Sequence, residues 1–431
     1  MKKVLIITYY WPPSGGAGVQ RWLRFAKNLR DFGYEPVIYT VDNPNYALID
    51  EGLESQVPEG IKVYRNKIVE PNSLFSSKKK GNIYKVQQQK GNKRSIVQKV
   101  SWFIRGNFFI PDARFLWVKP SVRFLSKVIQ EENIDVIVST GPPHSLHLIA
   151  QKLKSKFNLP WLADFRDPWT SMDYLDEMFL TKLARNKHAR LEKNVLLNAD
   201  KTVVVGRTMF NEFKENYNVV SEVIYNGYEE SKSQQETFLL DKKFSITHIG
   251  SFLKNRNCVD LWEVLAEIKQ ESELFNKHLE IKLIGNVAPV VIESIDKLKL
   301  TPNLNKIDYV PFEETQKYLH GAQILLLPID RIHNAEFVLT GKLFEYLKSN
   351  RPIVLIGPSN GDAADIIQQC NAGYCCDFND KTLIKKTIYQ LFELFLKEKN
   401  TIQSKNVDQF SSSQLTKRMA EVLDETINLN K

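Results

Sequence analysis

Three short stretches of this sequence combine glycines, cations and a carboxylate at spacings suited to a phosphorylated, hydroxylated ligand. HIGSFLKNR ends an apolar run at Gly250 and Ser251, with Lys254 and Arg256 in the next turns. A glycine lets a phosphate approach the backbone, and two cations match the charge of a diphosphate. TGKLFEYLKSNRPIVLIG puts Thr340, Gly341, Lys342 and Leu343 at the start of a short helix whose next turn carries Glu345. Amides at such a start suit a phosphate, and a carboxylate one turn on can accept both hydroxyls of a ribose. SGGAGVQR, residues 14–21, carries Gly15, Gly16 and Gly18 behind the first apolar run. It lacks the Gly-Lys-Ser/Thr of a Walker loop, and Arg21 stands where a dinucleotide fingerprint has its third glycine. Tight turns explain these glycines equally well, and a surface carboxylate explains Glu345. None of the three stretches stands alone as a binding motif.

The elements that position them are short apolar runs alternating with helical periodicity, the pattern of parallel sheets with crossover helices. KVLIIT reads as the first strand. Val19, Trp22, Leu23, Ala26 and Leu29 then recur at helical spacing, Gly33 stops that helix, and PVIYTV is the second strand. IDVIVST, PWLADF and DKTVVVG continue the first series. After a polar linker over 231–243, a second series reads FSITHIG, LEIKLIG, KIDYVPF, QILLLPI and PIVLIG. Two doubly wound domains in tandem follow, with ligands expected at the carboxyl ends of the strands.

Length and composition agree with that division. A chain of 431 residues exceeds one ordinary core, and 43% hydrophobic with 25% charged residues describes an ordinary soluble globular protein. Cys258, Cys370, Cys375 and Cys376 show neither metal spacing nor a secreted framework, which favours reduced thiols and a cytoplasmic location. No apolar run approaches the ~18 residues of a membrane span. The net charge of +9 is concentrated in residues 71–111, with nine Lys or Arg, no Asp or Glu, and the aromatic SWFIRGNFFIP. This insertion reads as an anionic-membrane contact, with a solvated loop and a nucleic-acid surface as rivals.

In their order along the chain, YYWPPSGGAGVQR, STGPPHS, LADFRDPW, VIYNGY, HIGSFLKNR, VPFEETQKYLHGAQILLLPI and TGKLFEYLKSNRPI resemble the family 4 glycosyltransferases. These form a large retaining group with the GT-B fold. The resemblance implies an α/β chain of two Rossmann-like, doubly wound domains facing a central cleft. An acceptor-binding domain would span 1–228, a nucleotide-sugar-binding domain 229–404, and a terminal helix over 405–431 would pack back on the first. The donor would lie on Gly250, Ser251, Lys254, Arg256, Thr340, Gly341, Lys342, Leu343 and Glu345. Arg256 and Lys342 would meet the charge of the leaving diphosphate.

The match departs from the family at several positions. Ser251 stands where the family has an arginine. Its two glutamates fall on Phe337 and Glu345, with Glu336 one position off. Arg166 and Asp167 replace the usual His-Asp, and either face the donor sugar or form a structural pair. His144 is a candidate contact to acceptor or sugar, His147 a satisfied helix residue, and Gly15, Gly16 and Gly18 would admit substrate to the backbone. The implied reaction transfers a hexosyl or N-acetylhexosaminyl group from a nucleotide sugar to a saccharide or lipid-linked acceptor. It would proceed with retention and without metal or other cofactor, in cell-envelope or exopolysaccharide synthesis on the inner membrane face. A GT-B-fold nucleotide-sugar epimerase would share the nucleotide site but needs acid/base carboxylates. A nucleic-acid-binding protein explains the charge but not the nucleotide motifs.

Overall fold

The computed structural model describes residues 1–44, 46, 48–69, 96–230 and 238–429. Most of the basic insertion, including the lysine run 78–80, and residues 231–237 of the expected linker lie outside them. The chain divides into two compact units, Met1–Glu229 with Phe410–Lys431, and Glu230–Gln409.

The first unit holds β1 (Lys2–Ile7), β2 (Tyr34–Val41), β3 (Lys62–Asn66), β4 (Val136–Gly141), β5 (Trp161–Phe165), β6 (Lys201–Val204) and β7 (Glu222–Val223). They form one sheet in the order β3-β2-β1-β4-β5-β6-β7, every neighbouring pair parallel. β4 and β5 are wholly buried and β1 is buried from Val4 onward, because crossover helices cover both faces, which is why they read as continuous apolar runs. The helix Ala17–Asn28 begins at Gly16, whose φ of 89° suits a residue without Cβ. Val19, Trp22, Leu23 and Ala26 bury its inner face against Val4, Ile6 and Val138. Leu29 opens a short 3-10 turn that Gly33 ends at φ 83°.

Arg21 has a structural task in this unit. Its guanidinium pairs with buried Asp164 at 2.8 Å and donates to the carbonyls of Ile224 and Tyr225. Trp22 Nε1 and Thr140 Oγ1 also donate to Asp164. The position of a third fingerprint glycine is therefore filled by a cation tying the first helix to the end of β5. The helix Ser412–Asn428, capped by Ser411, places Leu415, Met419, Val422 and Leu423 in the same core as Val4, Ile6 and Trp22.

The second unit contains β8 (Phe244–Ile249), β9 (Leu279–Ile284), β10 (Leu304–Ile307), β11 (Ile324–Pro328), β12 (Ile353–Ile356) and β13 (Gly373–Cys376). Their order is β10-β9-β8-β11-β12-β13, again parallel throughout. Phe244, Trp262, Leu283, Leu326, Val354 and Phe392 anchor its core. Two parallel-sheet units of this kind make a two-domain, Rossmann-like GT-B fold. KIDYVPF is displaced from its expected place: β10 ends at Ile307, and the following residues form a loop.

Candidate functional site

In a doubly wound sheet, the strand order reverses at a switch point where the loops after two adjacent strands part and leave a crevice. In the second unit that point lies between β8 and β11. Gly250 follows β8 and Gly285 follows neighbouring β9, at φ 103° and 109°. A Cβ on Gly285 would lie 2.9 Å from the Gly250 carbonyl oxygen, so close backbone approach requires glycine there. A Cβ on Gly250 would lie 2.7 Å from Lys342 Cε and 3.2 Å from its Nζ. The ammonium of Lys342 is thus laid directly over the glycine that ends β8.

Lys342 belongs to the helix Gly341–Leu347, which Tyr346 fastens to the sheet by accepting the Ile249 backbone N–H at 3.1 Å. A cavity of about 320 Å³ opens beside this helix, over the ends of β8 and β9. Gly250, Gly285, Lys342 and Glu345 line it on one side, and Ile249, Ile284, Val310 and Leu319 give it an apolar wall. Tyr309, 84% exposed, stands at its rim. Such a cavity offers a cation, a carboxylate and an apolar slot at once, the needs of a phosphate, a polyol and a flat base.

Electrostatics sharpen this picture. Burial first, and then the charge of Arg256, push Lys342 down to about 8, against a counteracting pull from Asp330. Burial, then the Lys342 charge, push His248 down to about 3, and its ring is held between the Leu326 and Ser251 carbonyls. His248 is therefore neutral near pH 7. Arg256, in the turn Lys254–Arg256, donates from Nε and Nη2 to Asp330 Oδ2 at 2.9 and 2.7 Å. Lys254 is exposed, Ser251 and Thr340 are half-buried, and Gly341 faces open space. Leu343 is buried in the core side of its helix. Glu336 lies in the turn Ala335–Phe337 and is not among the residues lining the cavity.

With this geometry in view, the comparisons with known proteins decide the family. The family model Glycosyltransferase Family 4 matches residues 15–232, more than half of the chain. The chain belongs to Glycosyltransferase Family 4. Among curated proteins no relative matches. Solved structures share the fold at low identity. A glycosyltransferase from Rickettsia africae is 13% identical with a TM-score of 0.61, covering 99% of this chain and 98% of its own. A Staphylococcus aureus TarM mutant is 12% identical at 0.60, covering 100% of both chains. Anabaena HepE is 12% identical at 0.56, covering 100% of this chain and 97% of its own.

In the first unit of this family 4 glycosyltransferase, the glycine loop follows β1 at that sheet's own switch point, beside β4. Gly15 packs against Leu48, and Gly18 lies under Arg166 and Tyr10. Only Gly16, among the three, has open space where a Cβ would stand. Packing by protein side chains thus accounts for two of these glycines. Arg166 donates from Nη1 to the Gly18 carbonyl at 2.5 Å and from Nη2 to that of Pro142, joining the loops after β1 and β4. Asp167 beside it is exposed.

His144 is 2% exposed and stacks on Trp169 with ring centroids 4.6 Å apart, so it lies within the packed interior. Burial pushes its pKa well down. His147 shares a 2.8 Å hydrogen bond with Ser139 inside the helix Ser145–Phe157. Gly285, Tyr309 and Asp330 were not singled out from sequence. A signal existed for the first, since LEIKLIG ends in isoleucine-glycine as FSITHIG does. Among the described residues, no group of three or more His, Cys, Asp or Glu side chains is gathered to hold a metal ion.

Proposed function

We propose that this glycosyltransferase moves a hexosyl or N-acetylhexosaminyl group from a nucleoside-diphosphate donor to a saccharide or lipid-linked acceptor, with retention. The observation that carries this reading is the second-unit cavity, where Lys342 overlies Gly250 while Glu345 and an apolar wall complete the lining. The diphosphate would rest against Gly250 and the cations, the ribose against Glu345, and the base against the apolar wall. Similar structures support the donor class: the TarM mutant was solved with UDP and α-GlcNAc-glycerol, and HepE with UDP-glucose.

In the proposed reaction the acceptor hydroxyl attacks the donor's anomeric carbon from the face the diphosphate leaves, as that bond breaks, and passes its proton to a phosphate oxygen of the departing diphosphate. Lys342 and Arg256 meet the charge growing on the leaving group, which requires no metal in this reading. The first unit would hold the acceptor, with Arg166 and Asp167 near the sugar. Cell-envelope or exopolysaccharide assembly on an anionic inner-membrane surface is the setting we favour. Its support is the helix Ile96–Phe108, whose exposed Ile96, Val100, Phe103, Ile104 and Phe108 recur on one face beside exposed Lys99 and Arg105. Among the described residues no helix is long and apolar enough to cross a membrane. A panel of nucleotide sugars incubated with saccharide and lipid-linked acceptors, with and without chelator, tests the reaction. Donor-dependent, chelator-resistant transfer supports it, and no release of nucleoside diphosphate from any donor opposes it.

A further inference from the structure

Asp330 lies two residues beyond β11, on the other side of the switch point from the turn after β8 that carries Arg256. Both the Nε and Nη2 bonds of Arg256 converge on one Asp330 oxygen, and the two side chains are only 14% and 18% exposed. The loops are tied through the backbone as well, since the Arg331 N–H donates to the Asn255 carbonyl at 2.8 Å. The Arg331 guanidinium itself turns away to Asp260, Phe378 and Asn379. Asp330 is therefore the carboxylate committed to Arg256.

Two half-buried cations repel one another, and each loses hydration. A bound diphosphate would compensate both, but only while it is bound. Asp330 supplies a permanent counter-charge: it binds Arg256 directly and favours the charged form of Lys342, which Arg256 disfavours. Among the described residues, neutral His248, Glu345 on its own helix, the buried Tyr346 phenol and Tyr309 also lie around Lys342.

We propose that Asp330 is a positioning residue for the diphosphate site, fixing the Arg256 guanidinium across the switch point and with it the net charge that Lys342 meets. The proposal rests on the donor reading above. Its geometry specifies an arginine already placed before the leaving group departs, the kind of preorganisation that lowers a barrier without rearrangement.

The test compares wild type with Asp330→Asn and Asp330→Glu, each checked for folding by circular dichroism. Competitive acylation with acetic anhydride across pH, read at Lys342 by mass spectrometry, reports the lysine's protonation without any substrate. In Asp330→Asn the Lys342 midpoint should fall by about half a pH unit or more, and Asp330→Glu should restore it. With the donor found active in the panel, kcat of Asp330→Asn should fall by roughly tenfold or more with a smaller change in KM. An unmoved midpoint, or a wild-type kcat, in folded Asp330→Asn overturns the proposal. Should Asp330→Asn fail to fold, Asp330→Ser is measured in its place: a lowered Lys342 midpoint supports the proposal and an unmoved one overturns it. The donor reading fails separately, if no nucleotide sugar is turned over while the Lys342 midpoint still moves.

Discussion

Arg256 and Lys342 bring two positive charges to one crevice, but they are held in different ways. Arg256 is pinned by Asp330, whereas Lys342 is laid over Gly250 and discharged by burial towards pH 8. For Arg256→Ala, steady-state kinetics should show turnover lowered by roughly 100-fold or more, because a cation aimed at a leaving group acts mostly in the transition state. Calorimetric affinity for the nucleoside diphosphate should fall far less, and near-wild-type turnover would remove Arg256 from the reaction. Lys342 makes a prediction about pH. Its folded pKa lies below that of an ordinary lysine, so the ammonium is present below pH 8 and lost as pH rises through it. Nucleoside diphosphate affinity should weaken across that range in wild type and stay flat in Lys342→Arg; titration at pH 7 and 9 reads the difference. Gly250, Lys342 and Glu345, which line the cavity, were legible as candidates because each falls in a short motif at a strand or helix end. Asp330 was not, because its partner lies 74 positions away.

Elements inside the sheets announced themselves through burial, and those at the edges did not. β3, β7 and β13 were missed, and β10, expected over 306–312, runs over Leu304–Ile307 instead. All four are edge strands, exposed in part and short of the apolar runs that mark β1 or β11. The first helix was legible from its apolar spacing, while the role of Arg21 needed the fold to bring Asp164 beneath it. Removing the cation by Arg21→Ala should strand a buried carboxylate and cost about 3–5 kcal/mol in urea unfolding. Burial would raise the Asp164 carboxyl, but the Arg21 charge and the bonds from Arg21, Trp22 and Thr140 outweigh it and hold it below its ordinary range. Its contribution to stability is therefore fully present above the unfolded value of about 4 and is lost as pH falls through the lower folded value. Arg21→Ala should show a weaker acid dependence in the same unfolding series. The helix Ile96–Phe108 carries its own prediction. Each phenylalanine withdrawn from an interface forfeits roughly 1.5 kcal/mol or more. Phe103→Asp with Phe108→Asp should then reduce sedimentation with anionic vesicles by roughly tenfold or more, and unchanged sedimentation would exclude this face as the contact.

At the scale of the whole molecule, the alternation of strands and helices made two doubly wound domains legible, and the order of motifs made the family legible. Substrate identity was not, because at 12–13% identity the solved relatives share a fold rather than a set of side chains. The division of labour proposed here assigns the donor to the second unit, at the cavity lined by Lys342 and Glu345. That assignment is tested most directly by calorimetric titration of the full chain with UDP, GDP and ADP, comparing wild type, Glu345→Ala and Glu336→Ala. A carboxylate that accepts both ribose hydroxyls contributes on the order of 1.5–3 kcal/mol, so Glu345→Ala should bind the preferred nucleotide roughly tenfold to a hundredfold more weakly. Glu336→Ala, whose side chain belongs to a different turn, should bind as wild type does. Equal affinities for wild type and Glu345→Ala, or no nucleotide bound by wild type, would contradict the account.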